Sequence, residues 1–163
     1  MITEVGTKSL TLVQAVNDAL RIMLKEREDV IVLGEDVGKN GGVFRATDGL
    51  LEEFGEQRVI DTPLSEAGFT GAAIGMALGG FRPVVEIQFL GFIYPAYEQI
   101  MTHAARMRSR TRGHFAVPLV IRAPYGAGVR ARKFIRTARK RCLPICRGSK
   151  SSAPRRRTTP KGC

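Results

Sequence analysis

The first stretch of apolar and polar positions with a clear period is helical. In "LTLVQAVNDALRIMLKERED", Leu12, Val16, Ala19, Leu20, Met23 and Leu24 recur at three- and four-residue intervals and share one stripe. Thr11 stands just ahead of it, where a hydroxyl can satisfy a backbone N–H of the first turn. The period then changes. "VIVLGED" (30–36) is a short aliphatic run stopped by Gly34 and two acids, which predicts a buried strand whose carboxyl end opens onto a loop. "GKNGGVFRATDGLLEEFGEQ" predicts a glycine-rich loop followed by a short helix, and "RVIDTP" a second strand ended by Pro63. "SEAGFTGAAIGMALGGF" (65–81) is helical in phase but crowded with Gly and Ala. A glycine inside a helix costs about 1 kcal/mol relative to alanine, so the close approach of another helix or a ligand is expected there. "RPVVEIQF" predicts a strand, "FIYPAYEQIMTHAARMRSR" a helix with Ile93, Tyr97, Ile100 and Ala104 in register, and "PLVIRAP" a further strand. Helices alternating with short aliphatic strands imply an α/β fold, a parallel sheet covered on both faces.

Charge changes this picture only at one end. A formal net charge of +11 and a pI near 10.3 would suggest an acidic partner such as nucleic acid or anionic lipid. Residues 131–163, however, hold 12 of the 26 Lys and Arg and none of the 15 acids, which leaves residues 1–130 at net −1. The cysteines divide in the same way: Cys142, Cys146 and Cys163 all lie in the tail. The cysteine-free body carries no disulfide framework and fits a reducing compartment. Cys142 and Cys146 are spaced C-x3-C with no histidine between or after them, a poor zinc pattern. The N-terminus has no basic segment leading into an apolar core, and no apolar run reaches the length of a membrane span. A cytoplasmic protein is expected.

Ligands of parallel α/β sheets sit beyond the carboxyl ends of the strands, where the loops "GEDVGKNGG", "DTPLSEAG" and "EIQFLGF" fall. The first matches neither common phosphate-binding glycine pattern and reads as a turn with acids capping a helix. Glu66 opens an otherwise apolar helix, where the helix dipole favours a carboxylate and simple capping is one explanation. Gln88 interrupts an apolar strand end, and a buried amide there needs partners. Phe92, four residues on, is explained as readily by core packing.

Together these residues carry a resemblance. "LGEDVG", "GGVFRAT", "RVIDTPLSEAGF", "RPVVEIQF" and "VPLVIRAPYGAGVR" resemble the beta subunit of the thiamine-diphosphate-dependent first component of 2-oxo acid dehydrogenase complexes, over residues 8 to 130. The bacterial pyruvate dehydrogenase subunits are the nearest in look, and the branched-chain enzymes come next. The resemblance implies a thiamine-diphosphate-binding fold, with residues 1–130 as an incomplete pyrimidine-binding domain and a C-terminal transketolase-like domain missing. It implies that Glu66 hydrogen-bonds a ring nitrogen of the cofactor's aminopyrimidine and promotes the tautomer that deprotonates the thiazolium carbon. Leu64 then lines the pyrimidine pocket, Gln88 bonds the aminopyrimidine and Phe92 packs on its ring. It also implies an alpha partner that holds most of the diphosphate and magnesium in a two-alpha two-beta heterotetramer, and a lipoyl acyltransferase that receives the acyl group. No membrane and no specific nucleic acid partner are implied. A transketolase-like enzyme using the same module is disfavoured by "GVFRATDGL" and "RAPYGAG".

Relatives continue after "PYGAGVR" with "APExHS", whose histidine aids acyl transfer; at the corresponding position this chain has Ile135. Loss of one C from a C-run across codons 131 and 132 accounts for the change. In the restored frame Arg132–Lys133 permits Glu, Phe134–Ile135 permits His and Ile135–Arg136 permits Ser. The string then continues as "DSTEALFAHMPGVKVV", apolar-periodic and mixed in charge. Residues 131–163 are therefore expected to be a frameshifted, disordered basic tail on a copy without enzymatic function. A reading from a different class, a protein that binds nucleic acid nonspecifically through that tail, calls for binding that collapses with salt.

Overall fold

The structure, a computed structural model, describes residues 9–125. The tail from Ala131, with Ile135 and the three cysteines, lies outside the described residues. Helix α1 spans Leu12–Glu26 and opens with a reciprocal cap: Thr11 Oγ1 accepts from the Gln14 N–H at 3.2 Å, and Gln14 Oε1 accepts from the Thr11 N–H at 2.9 Å. Leu20 and Leu24 of its stripe are buried, with Val16 packed beside them, while Leu12 and Met23 are exposed.

Strands β1 (Val30–Gly34), β2 (Val59–Asp61), β3 (Arg82–Glu86) and β4 (Val120–Arg122) form one parallel sheet in the order β2-β1-β3-β4. β1 is buried along its whole length because its alternating side chains serve two cores. Val30 and Val32 join Leu20 and Leu24 of α1, Leu50 of α2 (Leu50–Phe54) and Val59. Ile31 and Leu33 join the opposite cluster. It takes Phe69 and Ala73 from α3 (Glu66–Leu78), Val85 and Ile87 from β3 and just beyond it, and Ile93, Ala96 and Ile100 from the segment around α4 (Tyr94–Glu98). The chain leaves β1 for β2 on one side and returns to β3 on the other. A crevice therefore opens between the carboxyl ends of β1 and β3, the usual place for a ligand in such sheets.

The long helix expected over 92–110 is broken. A 3-10 turn at Leu90–Phe92 leads into α4; a π-helical segment, Gln99–Ala104, follows, and then α5 (Met107–Arg110). Of the positions expected in register, Ile93 and Ile100 are buried, as is Ala96, while Tyr97 and Ala104 are only half-buried. Close approach to α3 is real at one glycine: a Cβ on Gly71 would lie 3.4 Å from Gln99 Oε1. At Gly75 nothing lies within 4 Å, so this part of α3 faces away from the rest of the described chain. Among the described residues no helix is long and apolar enough to cross a membrane.

Candidate functional site

The chain past β1 turns sharply at Asp36, whose backbone is left-handed (φ 60°), a conformation aspartate tolerates better than most residues. Its Oδ2 accepts from Gln88 Nε2 at 3.1 Å and its Oδ1 from Asn40 Nδ2 at 2.8 Å. Asp36 follows β1 and Gln88 follows β3, so this bond spans the crevice where the strand order reverses. On the other side of β1, Glu66 opens α3, half-buried, in the position the helix dipole favours for a carboxylate. Glu35 lies between the two flanks. Burial, and then the negative charges of Asp36 and Glu66, push the Glu35 carboxyl above the usual carboxylate range.

Leu64 is 73% exposed two residues before Glu66, a large apolar side chain standing beside an acid. Phe92 sits on the Gln88 side, where it packs partly into the core and meets Phe89 edge-on at 6.0 Å between ring centroids. Phe89 in turn meets Phe44 edge-on at 6.2 Å. The strand ends thus gather Glu66, Glu35, Asp36 and Gln88, with Leu64 flanking one side and Phe92 the other. A carboxylate and an amide can meet the donors and acceptors of a ring, and Leu64 and Phe92 offer apolar surface for its faces. Thr62 Oγ1, buried without a hydrogen-bond partner among the described residues, belongs to the same loop as Leu64 and Glu66.

The glycine-rich loop is occupied from within. Asp61, the last residue of β2, accepts from the backbone N–H of Gly38 at 2.6 Å and of Lys39 at 3.0 Å. Those donors face a carboxylate of the chain itself, and Glu35 and Asp36 form a turn at the strand end instead of a helix cap. Beneath the loop lies Glu86, the last residue of β3, its side chain fully buried. One oxygen pairs with Arg122 Nη1 of β4; the other, Oε1, has no partner among the described residues. The loop closes over it so tightly that a Cβ on Gly34 would lie 2.5 Å from the Glu86 carbonyl oxygen. A Cβ on Gly42 would lie 2.6 Å from Thr47 Oγ1 and 3.2 Å from Glu86 Oε1.

Glu35, Asp36 and Glu86 were not among the residues the sequence singled out. The signal for the first two was present, two acids directly after a buried strand, but their position opposite Glu66 depends on strand order, which the hydrophobic pattern does not carry. Among the described residues no group of three or more His, Cys, Asp and Glu side chains is arranged to hold a metal ion.

Known proteins share this arrangement of sequence. Residues 8–143 match the family described as transketolase, pyrimidine binding domain. Over 120 residues the chain is 58% identical to the pyruvate dehydrogenase E1 component subunit beta of Staphylococcus epidermidis and 57% identical to that of Bacillus subtilis, with 74% of this chain and 37% of each relative covered. The subunit of the same description from Acholeplasma laidlawii is 52% identical over 122 residues, covering 75% of this chain and 37% of its own length. The chain therefore spans well under half the length of these relatives.

Proposed function

The chain belongs to the transketolase pyrimidine-binding domain family, and on that footing we propose that it is a beta-type subunit of a thiamine-diphosphate-dependent 2-oxo acid dehydrogenase acting on pyruvate. The observation that carries this reading is Glu66, a half-buried carboxylate at the head of α3, beside exposed Leu64 and next to a second acid at the end of β1. In this reading Glu66 would hydrogen-bond a ring nitrogen of the aminopyrimidine. Glu35, whose proton affinity is raised by burial and then by the charges of Asp36 and Glu66, keeps negative charge low beside that carboxyl. Gln88, anchored by Asp36, fixes the ring's polar edge, while Leu64 and Phe92 cover its faces and exclude water. Thiamine diphosphate, when bound, supplies the carbon nucleophile and the electron sink for loss of carbon dioxide. An alpha chain holds its diphosphate and magnesium, in a cytoplasmic two-alpha two-beta assembly served by a lipoyl acyltransferase.

The tail belongs to the same proposal. A single-base loss near codon 131 replaces the acyl-transfer histidine by Ile135 and generates the run of basic residues. The coding DNA tests this, and an intact frame through codon 131 contradicts it. For the site, the chain is mixed with the purified alpha subunit of the Bacillus subtilis enzyme and titrated with thiamine diphosphate. Glu66→Gln is expected to weaken binding about tenfold or more, the scale of one lost charge-assisted hydrogen bond. Acyl transfer to lipoamide is expected to be absent even with the cofactor bound. Binding that ignores Glu66→Gln refutes the site, and transfer at the rate of an intact beta subunit refutes the role given to position 135.

A further inference from the structure

Beyond the strand ends, one feature of the described surface stands apart from the rest. Between residues 106 and 112 every second residue is an arginine, and Arg106, Arg108, Arg110 and Arg112 are all exposed. No acid follows Glu98 in the chain, and residues 99–125 contain no lysine. Elsewhere in the described residues Arg21, Lys25, Arg27, Arg45, Arg82 and Arg122 each contact a carboxylate and Arg58 donates to backbone carbonyls, while Lys39 forms no ion pair. None of the four arginines forms an ion pair among the described residues.

The backbone that presents them is well tied. Thr111, half-buried, donates from Oγ1 to the Met107 carbonyl at 2.9 Å and accepts at the same oxygen from the Phe115 N–H at 3.1 Å. The Gly113 N–H reaches the Arg108 carbonyl at 2.8 Å, and the His114 N–H reaches that of Thr111 at 3.0 Å. Within this turn Arg112 is held at φ 52° and Gly113 at φ 87°. Glycine adopts the left-handed region freely, whereas a residue with a Cβ is strained there. An unpaired arginine is thus carried at a position whose backbone suits glycine, a strain that points to use of the side chain.

The chemistry narrows the partner. A guanidinium fork pairs bidentately with carboxylate or phosphate. Phe115, 52% exposed, adjoins the arginines, and arginine beside an aromatic ring is the composition of protein–protein contact centres. Single-stranded nucleic acid calls instead for several stacking rings along a basic groove, and Phe115 is the one Phe, Tyr or Trp beside these arginines in the sequence stretch 106–115. We propose that Arg106, Arg108, Arg110 and Arg112, with Phe115, form a docking knob for a carboxylate-rich segment of a partner polypeptide. The knob stands whether or not the strand-end site handles thiamine.

The full chain is titrated with a fluorescent oligoglutamate peptide and, separately, with an oligothymidylate of equal charge. Replacing all four arginines by glutamine is expected to weaken peptide binding about tenfold or more. Replacing Arg132, Lys133, Arg136 and Arg139 by glutamine, the same loss of charge, is expected to change it less than about twofold. Arg112→Gly is the sharper variant: it relieves the backbone, so the melting temperature holds or rises while peptide affinity falls about threefold. Equal losses from the two quadruple variants, or an Arg112→Gly chain that binds like the parent, overturn the proposal. Tighter binding of the oligothymidylate, lost with the same four arginines, overturns the polypeptide assignment in favour of nucleic acid.

Discussion

At the scale of single residues, the site turns on how two acids share a small space. The Glu35 carboxyl titrates above the usual carboxylate range because of burial, and secondly because of Asp36 and Glu66. A folded-state value raised above the unfolded one means that the folded chain binds the extra proton. Stability contributed at Glu35 is therefore present at low pH and is lost as pH rises from the ordinary carboxylate value through the raised one. Glu66→Gln removes one of the two like charges, so the Glu35 midpoint is expected to move down and the pH-dependent loss to shrink. A carbon-13 titration of the Glu35 carboxyl, alongside urea unfolding across the same pH range, checks both. Glu66 and Gln88 stand out in the sequence as polar residues in apolar surroundings, but capping and ordinary amide pairing explain them as well, and only the family resemblance gave them roles. Glu35 was not legible, because what distinguishes it is the company of Glu66, brought near by folding.

At the scale of elements, capping and packing make separate predictions. Thr11→Ala removes the hydroxyl half of the α1 cap and is expected to cost about 1 kcal/mol in denaturant unfolding. Gly75→Ala on the open face of α3 is expected to stabilise the isolated chain by about 0.5–1 kcal/mol, since nothing lies within 4 Å of the added methyl. The same change is expected to weaken association with an alpha partner if that face is a subunit contact, and analytical ultracentrifugation of the mixture reads the difference. At the β3–β4 junction, Glu86→Ala leaves half-buried Arg122 without its carboxylate and opens a cavity, and is expected to cost about 3 kcal/mol. Replacing both by methionine is expected to recover most of that in the same assay. The strands and α1 were read correctly from period and caps, including the two-sided burial of β1. The π segment at Gln99–Ala104 was not, because a 3.6-residue pattern with Ile93 and Ile100 in phase gives no sign of a widened turn between them.

At the scale of the whole molecule, the average charge was the least informative number and its distribution the most. A body near neutrality carries the fold and the strand-end site, and the excess charge lies beyond residue 130. Parallel pairing and covered faces were legible from the alternation of helices and strands. The order β2-β1-β3-β4, which sets Gln88 against Asp36 and Glu66 near Glu35, was not legible, because the hydrophobic period carries no record of which strands pair. The central claim is that these strand ends receive the aminopyrimidine of thiamine. Its most direct test is a nuclear magnetic resonance titration of the isotope-labelled full chain with thiamine diphosphate. The Gln88 side-chain amide and the Glu66 and Glu35 carboxyl carbons are expected to shift first and together, and Glu66→Gln is expected to move the titration to about tenfold or more higher cofactor concentration. Shifts confined to other parts of the sheet, or a response unchanged by Glu66→Gln, would contradict the claim.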